Sequence, residues 1–232
     1  PLSRSAKYII GVDISKKSIE YCNKTIENLK IKNAKCFYGD ITDWKSIQPV
    51  VEDFGYFDVA LLLYNTIEAI PGRYNRRIAL KNIYNLLEKE GILLLSIHNR
   101  YWPRWLLWVT KTNIKRLIIK LKTLRLLNKL IKSDLSILDQ CLLTSEFNSV
   151  ILRNAYTFYQ WYLYSLLDIE KDLKESGFTI KWIILTNGDN PFDPQSQKIL
   201  AEISYKPGLI NNIIILLKTL KAPGFYIVIE KR

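Results

Sequence analysis

The chain has 232 residues, of which 48% are hydrophobic and 24% charged, so it can build a real core, fits one domain or one domain with an insertion, and is not globally disordered. Its formal charge of +12 favours polyanions or anionic surfaces as partners. One histidine, His98, and three scattered cysteines, Cys22, Cys36 and Cys141, exclude a His-rich or CxxC metal site and read as small apolar side chains of a reducing compartment.

Tyr8 to Asp13 is a β-branched apolar run ending in an acid, the pattern of a buried parallel strand. Ser15 is a natural N-cap for a helix whose apolar positions are Ile19, Cys22, Ile26 and Leu29. Cys36-Phe37-Tyr38 is a second strand, closed by Gly39-Asp40, which completes a βαβ unit. Phe57 to Tyr64 is a third strand. A helix over 73–87 follows, with Ile78, Leu80, Ile83, Leu86 and Leu87 as its buried stripe and Glu90-Gly91 as its stop. Ile92 to Ile97 is the next strand. This alternation predicts an α/β fold, Rossmann-like, with a mostly parallel sheet and helices on both faces.

The texture then changes. From Arg100 to Lys132 no acid occurs, and Arg100, Arg104, Lys111, Lys115, Arg116, Lys120, Lys122, Arg125, Lys129 and Lys132 accumulate. Ile114, Leu117, Ile118, Leu121, Leu124 and Ile131 recur at helical steps after a turn rich in tryptophan, with Trp102, Trp105 and Trp108. This is a basic amphipathic helix. It belongs to a helical insertion, or lid, over 100–155 within a single domain spanning 1–232. Aromatic residues crowd 156–164, as a strand or turn packed on the sheet or as the lining of an apolar pocket. A helix over 168–176, a strand over 178–185, a loop marked by Gly188, Pro191 and Pro194, and a last strand over 224–230 complete the chain. No apolar run is long enough to span a membrane, and no signal peptide is evident, which predicts a cytoplasmic protein, at most peripheral to a membrane.

Ligands of open α/β sheets bind beyond the carboxyl ends of the strands. Asp13 stands there, and a carboxylate offers two acceptors to the cis-diol of a ribose. Asp40 ends the neighbouring strand and suits an exocyclic adenine amine. Ile14 and Ile41, beside the two acids, suit the faces of the base. The alternative is that both acids only cap turns.

Together these stretches resemble class I S-adenosylmethionine (SAM)-dependent methyltransferases. "IIGVDIS" resembles the segment with the ribose-binding acid, "CFYGDITDW" the one with the adenine-binding acid, and "RRIALKNIYNLLEKEGILLLSIHN" the family's helix-turn-strand. "FDVALLLYNTIEAIP" resembles the fourth strand and its loop, and "LLDIEKDLKESGFTIKWI" the late helix and sixth strand. The resemblance covers residues 2–184 and the final strand, which it makes antiparallel. It implies SAM as cofactor, held by Asp13, Ile14, Asp40, Ile41, Tyr64 and Asn65. No GxG occurs in the chain, and there is no methionine. The resemblance therefore implies that the first strand and its glycine loop lie upstream, that the sheet lacks a central strand, and that this chain alone binds SAM weakly.

NAD-type Rossmann oxidoreductases also place an acid after the second strand and are the main competing enzyme class. A non-catalytic basic binding module on the same fold is the alternative outside enzymes.

Methyl transfer requires alignment above all, and a base only where the acceptor must lose a proton. Tyr64 and Asn65 are placed to border the methyl group. His98 and Asn99 are placed to face the acceptor, with His98 the candidate base and Tyr64 a second candidate catalytic residue. The acceptor is a small molecule or lipid in preference to RNA. The helix over 100–132 is a lid with its apolar stripe against the domain, a contact for an anionic membrane surface, or a contact for RNA; no DNA partner is expected.

Overall fold

The computed structural model describes residues 4–127, 146, 149–153, 158–186, 199–206, 217 and 222–231. The loop expected around Gly188, Pro191 and Pro194 lies outside them, as do Cys141 and the end of the basic stretch.

The first unit is β1 (Ile9–Asp13), α1 (Lys16–Asn28) and β2 (Ala34–Tyr38), with β1 and β2 parallel. Ser15 caps α1 by accepting from the Ser18 N–H. Asn23 on α1 then satisfies the outer edge of β2: its Nδ2 donates to the Cys36 carbonyl and its Oδ1 accepts from the Cys36 N–H, both at 2.9 Å. This seating brings Cys22 against Cys36, with the Cα atoms 6.4 Å apart, inside the range a disulfide spans. The two sulfurs are bonded. The expectation of unpaired cysteines is thus corrected, because a pairing made across a helix-strand contact leaves no spacing signal.

α2 (Trp44–Phe54) buries Ile47 and Val50. It leads to β3 (Phe57–Leu62), the one-turn helix α3 (Thr66–Ala69) and α4 (Arg73–Leu86). α4 buries Ala79, Leu80 and Ile83 but also Arg76 and Asn82, whereas Ile78 and Leu86 are only half-buried. The helix does not run to Gly91. The chain is already extended at Leu87, the first residue of β4 (Leu87–His98). It is Glu90, with φ 63°, that takes the left-handed conformation. Gly91 is required for space, since a Cβ there would lie 2.9 Å from the Glu88 carbonyl oxygen.

α5 (Pro103–Leu127) is the basic helix. After it come the antiparallel pair β5 (Ser149–Arg153) and β6 (Phe158–Tyr162), then α6 (Leu166–Glu175), β7 (Phe178–Thr186), β8 (Ile199–Ser204) and β9 (Gly224–Lys231). The described part of the aromatic run is therefore largely strand, and β8 is a strand that sequence reading did not foresee. α6 opens with a reciprocal capping box between Ser165 and Asp168.

The main sheet is mixed, in the order β3-β4-β9-β7-β8. β3 and β4 are parallel, and β9 runs antiparallel between β4 and β7, as expected for the last strand. The core is built on this sheet by Leu93, Leu95 and Ile97 of β4, Ile180 and Ile183 of β7, and Ile227 and Ile229 of β9. α4 and α6 cover it with Leu80, Ile83, Ile169 and Leu173. Among the described residues nothing pairs with the free edge of β3, and β1-β2 forms a separate two-stranded sheet.

Three arginines of α4 fasten the helices. Arg76, fully buried, donates from Nη1 and Nη2 to the two carboxylate oxygens of Glu146 at 2.6 and 3.0 Å, and from Nε to the Tyr164 hydroxyl at 3.0 Å. Arg73 and Arg77 both donate from Nε to buried Asp172 of α6, at 2.9 and 2.7 Å. Burial holds the Tyr164 hydroxyl well above its usual range, so it stays a neutral member of this network.

Candidate active site

The register of β1 against β2 sets Asp13 opposite Tyr38, and the Gly39 N–H donates to the Asp13 carbonyl at 3.1 Å. Asp13 and Asp40 therefore lie at neighbouring carboxyl ends of one parallel pair, as the resemblance requires. Gly39 is buried between them, and a Cβ there would lie 3.2 Å from Val12 Cγ1 and 3.3 Å from Ile47 Cγ2. A side chain at this position would push α2 away and displace Asp40.

Each acid is held by one oxygen. Asp13 is exposed, and its Oδ1 accepts from the Ser15 N–H at 2.7 Å. Asp40 is half-buried, and its Oδ1 accepts from the Thr42 N–H and hydroxyl at 2.8 and 2.7 Å. Among the described residues Oδ2 of each makes no hydrogen bond. Beside Asp13, Ile14 is exposed; beside Asp40, Ile41 packs on the core, and its carbonyl accepts from Asn82 of α4 at 2.8 Å. Two positioned carboxylates with acceptor capacity to spare and an exposed apolar neighbour fit the ribose and adenine of a nucleoside.

At the tip of β3 the backbone is strained. Tyr64 and Asn65 are both left-handed, with φ 55° and 58°, a costly conformation for a bulky residue. The turn throws Tyr64 outward, 55% exposed, and folds Asn65 inward, where its N–H donates to Ser96 Oγ at 3.0 Å. Sequence reading grouped these two residues; the structure sends their side chains opposite ways.

His98, at the tip of β4, is 3% exposed. Its Nε2 lies 3.1 Å from Asn65 Nδ2, and its Nδ1 is hydrogen-bonded to Glu68 Oε2. The Asn65 NH2 group, Nδ2, can only donate, which makes Nε2 the acceptor and leaves Nδ1 to donate to Glu68. The other oxygen of Glu68 accepts from the His98 N–H at 2.9 Å. Burial raises the Glu68 carboxyl above its usual range, although the charge and hydrogen bonds of His98 offset part of this. The His98 ring stands between Trp105 of α5 and Trp161 of β6, with centroids 4.6 and 4.9 Å away. The Nε1–H of Trp105 is buried and finds no acceptor among the described residues. Asn99 does not face an acceptor: it is buried and ties the chain to Pro223 and Ala222.

Glu68 was not identified from sequence as part of this site, because a lone acid in a single-turn helix leaves no local pattern. Trp105 and Trp161 were read only within a tryptophan-rich turn and an aromatic run, with nothing in the sequence to join them to His98. A separate cleft lined by Trp44, Tyr56, Leu87 and Lys231 lies at the opposite ends of the strands and takes in none of these residues.

A family model described as a methyltransferase domain matches residues 2–160. No protein of curated function matches in sequence. Among solved structures, a SAM-dependent methyltransferase from Methanosarcina mazei aligns over 99% of this chain and 84% of its own, at 13% identity and TM-score 0.57. One from Clostridium acetobutylicum aligns over 99% and 77%, at 12% identity and TM-score 0.54. Another from Thermotoga maritima aligns over 100% and 76%, at 14% identity and TM-score 0.52. At these identities the structures show a shared fold, and the family match decides against the oxidoreductase reading. The chain belongs to the methyltransferase domain family.

Proposed function

We propose that this chain transfers the methyl group of SAM to a small-molecule or lipid acceptor of apolar character, with Asp13 binding the ribose and Asp40 the adenine amine. The observation that carries the reading is the pair of carboxylates at adjacent strand tips, each anchored by Oδ1 with Oδ2 unengaged among the described residues. Ile14 and Ile41 supply apolar contact to the base, and Tyr64, held outward by its strained turn, borders the reacting centre.

When bound, SAM supplies an electrophilic methyl on a positive sulfur; the chain's own residues supply placement and a proton path. His98 is the base. The acceptor's O–H or N–H takes the place of the Asn65 amide at Nε2, and the acquired proton makes an imidazolium. Glu68 stabilises it at Nδ1, and burial keeps that carboxylate basic enough to do so. Trp105 and Trp161 exclude water and favour an apolar acceptor, to which the Trp105 Nε1–H offers a donor.

Calorimetric titration with SAM tests the assignment. Asp13→Ala and Asp40→Ala each weaken binding about tenfold, the loss of one charged hydrogen-bonding partner. Unchanged affinity in both variants would remove these acids from the cofactor site.

A further inference from the structure

Sequence periodicity leaves the apolar stripe of α5 free to face the domain, a membrane or RNA; the structure turns it outward. At about 3.6 residues per turn, Leu106, Leu107, Ile114, Leu117 and Ile118 fall on one side of the helix, and all five are exposed, Leu117 at 58%. The side that packs inward carries Trp105, Val109 and Arg116 instead. Val109 and Trp105 cluster with Leu163 and Trp161, and Arg116 reaches Asn113 and Ser149. Arg104, Lys111 and Lys115 are exposed and run along one margin of the outward stripe. Trp108, also exposed, lies just beyond them, and Arg104 stacks on Trp102 with its guanidinium 5.4 Å from the ring centroid.

We infer that this outer face of α5 docks on an anionic lipid bilayer, lying in the headgroup region parallel to the surface. The apolar stripe enters the acyl boundary, the cations along its margin meet lipid phosphates, and Trp108 sits at the interface. Their flexible stems let the lysines reach up to the phosphates while the leucines go deeper. Charge decides among the possible occupants. No acid occurs from Arg100 to Lys132, so a second copy packed on this face would set two basic margins together with nothing to neutralise them. RNA would satisfy the cations but leave five large apolar side chains against a phosphate backbone. Only an anionic membrane matches both features. No helix among the described residues is long and apolar enough to cross a membrane, so the contact is made at the surface. The inference does not depend on which acceptor is methylated.

Co-sedimentation of the full chain with vesicles of phosphatidylcholine, alone or mixed with phosphatidylglycerol, tests it. Binding is expected to the mixed vesicles only, weakened by high salt, with a blue shift of tryptophan emission. Leu107→Asn/Leu117→Asn and Lys111→Gln/Lys115→Gln, all at exposed positions, are each expected to reduce binding about tenfold or more while leaving the circular dichroism and thermal melt unchanged. The inference is overturned by equal binding to both vesicle types or by binding that both variants retain. It is also overturned if the chain ignores vesicles and instead binds a single-stranded RNA with an affinity the leucine variant keeps, or if it forms a dimer that the leucine variant dissociates.

Discussion

The separate β1-β2 pair and the main sheet are written in the same code and end in opposite states. β1-α1-β2 and β4-α6-β7 both alternate apolar strands with amphipathic helices. Around β4, β7 and β9 the strands are sealed, with Leu93, Leu95, Ile183, Ile227 and Ile229 wholly inaccessible. In β1, α1 and β2 no residue reaches full burial. The sealed sheet carries the stability. The open pair carries Asp13 and Asp40, whose acceptors are of use only if a ligand can reach them. Stability and the proposed binding site are thus in different parts of one architecture, joined by α2, the Ile47–Gly39 contact and the Asn82–Ile41 hydrogen bond.

The largest effect expected from this contrast is at Arg76. Replacing it with methionine leaves Glu146 without its bidentate partner and the Tyr164 hydroxyl without a donor. The cost is about 3–5 kcal/mol in urea denaturation, because a half-buried carboxylate loses its compensation. Leu95→Ala follows, at about 2–5 kcal/mol, since sealed surroundings cannot collapse onto the cavity. Either result near zero would mean that the sealed sheet does not hold the fold together.

Two acids, buried Glu68 and half-buried Glu146, should respond to pH with opposite signs. For Glu146, burial alone would raise the carboxyl, but the hydrogen bonds and charge of Arg76 outweigh it and lower the folded value. Its contribution is therefore present above the unfolded carboxylate range and is lost as pH falls through the lower folded value. For Glu68, burial wins and the folded value is raised, so its contribution is present below the unfolded range and declines as pH rises through the folded value. Urea midpoints across acid pH should show Glu146→Gln flattening the acid-side loss and Glu68→Gln flattening the decline on the rising side. The same slope change in both variants would contradict the assignment.

Much of this fold is legible in the sequence because its signals are local. β1, β2 and the cap at Ser15 come from runs of a few residues, and Asp13 and Asp40 are readable as site candidates because they end those runs. What was not legible depends on partners far along the chain. Arg76 is buried only because Glu146, Tyr164 and Tyr162 converge on it, with its guanidinium 4.1 Å from the Tyr162 ring centroid. Glu68 matters only because β4 brings His98 to it. The direction of the α5 stripe stayed open because a helical period gives the width of an apolar face and not its direction. Trp105 and Val109 compete for the inward side and win it by packing with Leu163 and Trp161.

The smallest expected effect is the sharpest probe of the comparison. Leu61 on β3 is paired in the ladder with Leu94 of β4, on the face opposite to Leu62, which pairs with Leu95 and packs on the core. Leu61 is 46% exposed and Val59, on the same face, 54%. If the free edge of β3 is as open in solution, Leu61→Ala removes little buried contact and costs no more than about 0.5 kcal/mol. The same deletion at Leu95 should cost several times as much, measured in the same urea titration. A cost at Leu61 approaching that at Leu95 would mean that something covers this edge in solution.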